Sequence, residues 1–258
     1  MALQRIEIQE EFGFGELEER LRGVRLKGFS DTRIYEDAKI SIQRMDNSAV
    51  ENLYIPQPTV YRKGFLDRIE EMQKLFNRSG IDVFCLRGGI DYIAFDEKGQ
   101  ATQWTLIPPV AEVNLFNFVN GTIDYSNLLG EDLKKVMQEK GHELNPELKQ
   151  LNYPGFDGAK SLPLVCDGSH RIHSAYERGI TQNVLMIEVK KSSQFPYYAA
   201  PRPYSLVHVE DIRPDEGSAE KIHVLTSPGH KLLYRLFPSG GILSGDVRPD
   251  KTLAETKK

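Results

Sequence analysis

The stretch that most narrows what this chain can fold into runs from Leu162 to Gly179. Leu162 to Val165 is a short apolar run, Asp167-Gly168-Ser169 is turn chemistry, and Arg171 to Arg178 has helical composition stopped by Gly179. A second apolar run, Val184 to Val189, follows. The order predicts a buried strand, a tight turn, a helix and a returning strand. A strand feeding directly into a helix aims unpaired backbone N–H groups and the positive end of the helix dipole at one point, which favours an anion. Glycine at 168 lets an oxygen anion come close. Ser169, His170 and Arg171 add a hydroxyl, an imidazole and a guanidinium, the last suited to phosphate through paired charge-assisted bonds. The competing reading is a plain cap, with Asp167 or Ser169 closing the helix start. Two basic residues in a first turn oppose the dipole unless an anion is present, which favours the phosphate site.

The residues Cys166-Asp167-Gly168-Ser169-His170-Arg171, with Ala175 and Gly179 beyond them, resemble the signature turn of the ParB/sulfiredoxin superfamily, including its DGQHR-type members related to DndB. The likeness covers about residues 160 to 190. It implies a small mixed sheet flanked by helices and a turn that holds nucleotide phosphates. Sulfiredoxins carry a catalytic cysteine where this chain has Ser169, so sulfinic acid reduction is not expected. Cys166 lies on the strand side of the turn and does not replace it. ParB proteins bind CTP with an arginine-rich form of the turn and carry a helix-turn-helix domain behind it; no such domain is recognised in this sequence. Free serine kinases of the superfamily keep an Asp-Gly turn with histidine and arginine nearby, as here.

Elsewhere the sequence organises around that motif. The 258 residues are 40% hydrophobic and 27% charged, the balance of a folded, water-soluble chain. Residues 1–50 read as a charge-dense extension, with a short helix over Glu16 to Arg22 and a strand over Asp37 to Arg44. Residues 51–192 read as the core, and 193–258 as a proline-rich, loop-rich extension packing on it, with one helix near His230 to Phe237. Phe65, Ile69, Met72, Leu75 and Phe76 have the three-and-four spacing of a half-buried helix. Ile81 to Leu86, Asp91 to Phe95 and Ala101 to Ile107 predict an antiparallel meander, turning at Gly88-Gly89 and at Asp96 to Gly99 and closed by Pro108-Pro109. Helical composition recurs over Tyr125 to Gly141, with a further turn over Pro146 to Tyr153. The expected fold class is α+β, a small mixed sheet flanked by helices with extensions at both ends.

No run approaches the roughly 18 apolar residues that cross a bilayer, and the acidic N-terminus lacks the apolar centre of a secretory signal, so a cytoplasmic protein without a membrane partner is expected. Cys85 and Cys166 sit in apolar runs and are expected to be reduced and buried. A formal net charge of −4 does not favour direct DNA binding, though a protein partner is compatible. Weaker candidates are a metal face of His170, His173 and Glu177, a second anion turn at Arg87-Gly88-Gly89, and a stacking cluster of Tyr197, Tyr198, Arg202 and Tyr204. The cations His223, His230, Lys231, Arg235 and Arg248 are read as surface residues, and Trp104 and Phe116 as core.

The function expected is nucleotide-phosphate binding, in a nucleotide-dependent phosphotransferase or NTPase that takes ATP or another nucleoside triphosphate, with Mg²⁺ as a candidate companion. Gly168, Ser169, His170 and Arg171 would hold the phosphates. Asp167 would serve as general base or magnesium ligand, or else only stabilise the turn. The alternative is a non-catalytic nucleotide-sensing or DNA-associated regulator.

Overall fold

Alternation along Gly89–Asp96 (β7) buries Ile90, Tyr92 and Ala94 and leaves the residues between them half-exposed, the mark of a strand with one covered face. In a computed structural model of the chain, β7 is the middle strand of a three-stranded antiparallel sheet. The structure describes residues 3–55, 59–124, 152–189, 201–211, 234–238, 241–242 and 248–249. One neighbour of β7 is the predicted Ala101–Leu106 (β8), joined through the Asp96 to Gly99 turn. The other is Leu3–Phe12 (β1), not Ile81 to Leu86. β1 was hidden by its glutamates and arginine, which suit an edge strand.

Ile81 to Leu86 forms no strand because its backbone is already engaged. Cys85 N–H bonds back to Asp82 O and Phe84 N–H to the Asp82 carboxylate, an Asx-type turn. Asn183 then donates its side-chain amide to the carbonyls of Cys85 and Leu86. Both cysteines are free thiols, but only Cys166 is buried; Cys85 is exposed on this turn, correcting the expectation that both lie inside strands. Gly88 and Gly89 are not a hairpin turn either. A Cβ on Gly88 would stand 1.9 Å from Phe12 O and one on Gly89 2.1 Å from the Phe12 ring, so these glycines let β7 lie against β1. A cavity of about 300 Å³ lies there, lined by Glu11, Phe12, Arg87 and Gly88 among others and touching none of the Asp167–Arg171 residues.

The larger sheet is mixed. Its central strand is Val110–Val119 (β9), flanked antiparallel by Gly158–Asp167 (β11) and parallel by Gln182–Glu188 (β12). Outside these lie Tyr54–Ile55 (β5) beside β11 and Lys39–Met45 (β4) beside β12, with Arg202–Pro203 (β13) at the far edge and Thr122–Ile123 (β10) folding back on β9. This is the expected α+β class, mixed sheet with few helices.

Four α-helices lie among the described residues. Phe14–Arg22 (α1), the predicted N-terminal helix, ends at Gly23 and buries Leu17 and Leu21. Asn47–Val50 (α2) is a single turn capped by Asp46. Asp67–Asn77 (α3) buries Met72 and Phe76. Ser169–Glu177 (α4) places Ile172 among Val50, Leu53, Ala111, Val165 and Val184, and Ala175 in the second core with Met72 and Phe76. Five successive residues of α4, Arg171 to Ala175, are buried.

Toward the C-terminus, Arg235–Leu236 (β15) pairs with Arg25–Leu26 (β2) and is extended, so the described end of the helix expected over 230–237 is not helical, while 230–233 lie outside the described residues. Pairing with a strand more than two hundred residues earlier overrides local preference. The helix and turn expected over 125–141 and 146–151, and the side chains of Tyr197, Tyr198, His223, His230, Lys231 and Arg248, lie outside the described residues.

Candidate anion site at the start of the buried helix

β11 delivers Leu164, Val165 and Cys166 into the core and ends on Asp167, which is 4% exposed. Gly168 then turns the chain with φ 77° and ψ 19°, a left-handed conformation costly for any residue with a Cβ. It is needed for a second reason. A Cβ here would stand 2.7 Å from Pro109 Cβ and 2.9 Å from Pro109 Cα, so the proline closing the small sheet forms the wall under the turn.

Gly168 is the N-cap of α4 and carries no side chain that could cap it. The usual capping side chain is thus absent from the N-cap position itself. The first helical bond is Ile172 N–H to Gly168 O at 2.9 Å, which leaves the N–H groups of Ser169, His170 and Arg171 ahead of it. No acidic residue occupies this turn. The expected strand, turn and helix are present, and the five predicted site residues stand together in it.

Arg171 is 1% exposed, and none of its three guanidinium nitrogens has a hydrogen-bond acceptor among the described residues. Buried charges in proteins are paired as a rule, because an isolated one forfeits its hydration. This chain shows the rule at its other fully buried arginine. Arg235 donates from Nη2 to Glu112 Oε1 at 2.9 Å and from Nε to Glu112 Oε2 at 3.2 Å, with both side chains 1% exposed. Tyr35 donates its hydroxyl to the same carboxylate at 2.5 Å, and Cys166 Sγ lies 3.8 Å from it. Burial and the Glu112 charge push the Tyr35 hydroxyl and the Cys166 thiol well above their usual ranges, so both keep their protons. Arg235 is thus a core residue, correcting its reading as a surface cation.

Sequence reasoning missed this cluster, although β9 carried a signal. Val110, Glu112, Asn114, Phe116 and Phe118 alternate on one buried face, where two polar residues are out of place. The partner could not be read from it.

His170 stacks on Phe65, with ring centroids 4.3 Å apart and planes at 17°. Burial, and secondarily the neighbouring His173, push its pKa from the ordinary 6.5 down to about 4. His173 turns elsewhere. Its Nδ1 meets the Tyr204 hydroxyl at 3.0 Å and its Nε2 faces Glu177 Oε1 at 3.5 Å. Of the candidate metal face, His173 and Glu177 face each other while His170 is turned onto Phe65, and no group of three or more His, Cys, Asp or Glu side chains positioned for a metal exists among the described residues. Tyr204 is buried and its hydroxyl pKa raised by that burial, so it belongs to the core, not to a stacking surface.

His170 makes stability depend on pH. The folded state keeps the imidazole neutral down to about pH 4, while the unfolded chain protonates it below about 6.5. The unfolded state binds the extra proton in that window, so stability present above it is lost on acidification, by roughly 3 kcal/mol at this site. NMR titration of the His170 ring should give a value near 4 without ligand and a higher one with inorganic tripolyphosphate, whose charge favours the imidazolium. A ligand-free value near 6.5 would contradict the burial described.

Fold and turn together define a mixed α+β protein with an uncapped, cationic helix start, and comparison with known proteins agrees on a coarse likeness. The family model of the ParB CE domain matches residues 16–140. The chain therefore carries a ParB-like segment, from within α1 through β10 and beyond. The expected ParB-like likeness is found over a different stretch from 160–190: Phe65 and Pro109 lie inside the matched segment, and Asp167 to Arg171 lie after it. Neither the curated proteins nor the solved structures compared with the chain match it. No helix among the described residues is long and apolar enough to cross a membrane.

Proposed function

We propose that this chain binds a nucleoside triphosphate, with the phosphates at the first turn of α4. The observation that carries the reading is Arg171, a guanidinium taken out of water with no acceptor among the described residues, in the first turn of an uncapped helix. An anion there would pair the guanidinium, accept from the N–H groups of Ser169, His170 and Arg171, and meet the dipole at its favourable end. Gly168 supplies the left-handed turn that starts the helix over Pro109, and the Ser169 hydroxyl is a further donor. ATP and CTP share this phosphate chemistry.

Asp167 ends the strand at the same turn. One carboxylate together with nucleotide phosphates is a common magnesium environment, and the residues present fit that arrangement better than an all-protein cage. Bound there, Mg²⁺ would neutralise phosphate charge. If the protein turns its nucleotide over, Asp167 is the residue to hold that ion or to accept a proton from the attacking group. The ParB-like segment lends support to the DNA-associated part of the second reading, a nucleotide-sensing regulator in place of an enzyme. The free thiols of Cys85 and Cys166 accord with a cytoplasmic setting.

A panel of nucleoside triphosphates with magnesium tests the proposal by thermal melting. A ligand at a hundred times its dissociation constant should stabilise the fold by about 2.7 kcal/mol. If no nucleotide moves the transition at millimolar concentration, the proposal fails. Labelled nucleotide then separates an enzyme, which releases product, from a sensor, which does not.

A further inference from the structure

Between Thr59–Tyr61 (β6) and α3 the chain makes a turn whose shape is set by two residues. Lys63 has φ −68° and ψ 120°, and Gly64 has φ 90° and ψ −22°. These are the central dihedrals of a type II turn, with glycine where a positive φ is required. The Asp67 N–H closes over it onto Arg62 O. The turn is pinned to α4, because Arg62 Nη2 bonds Glu177 Oε1 at 3.1 Å while its Nε holds Asp211 Oδ1 at 3.0 Å.

The residue this turn presents is Phe65. It is one of the few large apolar side chains exposed among the described residues, at 37%, and it is backed by the His170 ring at 4.3 Å. An exposed aromatic ring stacked on the second residue of the helix whose start is the anion site forms a built platform. His170 supplies a neutral π-face beneath, so the pair is a two-ring stack whose outer ring is partly exposed to solvent.

Resting on the phosphate-site reading above, we infer that Phe65 is the stacking platform for the base of the bound nucleotide. The platform recognises any nucleobase by its π-face and makes the ligand class a nucleotide, not a bare polyphosphate. Phe65 is a binding residue here, and Gly64 and Arg62 position it.

Calorimetric titration of the intact chain with ATP, CTP and inorganic tripolyphosphate tests this, in the wild type, Phe65→Ala, Phe65→Trp and Gly64→Val. The wild type should bind at least one nucleotide roughly five- to a hundredfold more tightly than tripolyphosphate, the range that stacking one base on an aromatic ring supplies. Phe65→Ala should remove that advantage and leave tripolyphosphate affinity unchanged, while Phe65→Trp retains it. Gly64→Val strains the turn without meeting any neighbouring atom, so it should impair nucleotide binding alone. Equal affinity of the wild type for nucleotide and tripolyphosphate, or undiminished nucleotide binding by a folded Phe65→Ala protein, overturns the platform and leaves the phosphate site standing. Failure of the wild type to bind either ligand removes the phosphate site and the platform with it.

Discussion

Arg171→Met is expected to weaken nucleotide binding by about 1.5–3 kcal/mol, the worth of hydrogen bonds to a charged group, while the ligand-free protein melts at the same temperature as the wild type or higher. Methionine keeps the length and apolar stem of the arginine and removes only its charge. In the ligand-free protein that charge is 99% covered and unpaired among the described residues, so it opposes folding. Replacing buried ionic groups by apolar ones of similar size is neutral or stabilising by about 1–4 kcal/mol in comparable cases. In a chain this long each kcal/mol moves the melting temperature by roughly 2–4 °C. Melting and titration of one variant decide the matter. If the ligand-free protein instead loses about 3–5 kcal/mol, Arg171 balances a charge of the protein itself, and the phosphate site is wrong.

The same substitution at the other fully buried arginine should have the opposite sign. Arg235→Met strands the Glu112 carboxylate, 1% exposed and then held, among the described residues, by Tyr35 and the Cys166 thiol, and is expected to cost about 3–5 kcal/mol. Adding Glu112→Gln to that variant should restore most of the loss. The amide needs no counter-charge, and its oxygen still accepts from Tyr35. Urea denaturation of the two single variants and the double one forms a complete cycle. Strict additivity would mean that the pair is not coupled and that β15 is held by other contacts. Since Glu112 is on β9, which pairs with the strand ending at Asp167, this ion pair fastens Arg235 and β15 to the strand beside the Asp167-Gly168 turn.

The opposite signs show why a list of cationic residues says little about function. Arg171 and Arg235 look alike in the sequence, as do His170 and His173. What separates them is largely what distant segments bring to each: Glu112 to Arg235, Phe65 to His170, and Tyr204 to His173 beside its helix neighbour Glu177.

Local order around the Asp167-Gly168 turn follows from the residues of that segment alone. Leu162 to Gly179 folds as strand, turn and helix because its apolar run, glycine positions and helix formers all point the same way, and that agreement needs no outside contact. The Asp96 to Gly99 hairpin and the helices ending at Gly23 and near Gly80 were legible for the same reason. Tertiary structure decided the rest. Ile81 to Leu86 has strand composition, but Asn183 and Asp82 take its backbone groups, and β1 fills the place it would have held. The burial of Arg171, the pairing of Arg235 and the stacking of Phe65 on His170 depend on residues brought together from across the chain. Pairing energies of that kind are fixed by distance and by exclusion of water, and neither is a property of a single segment.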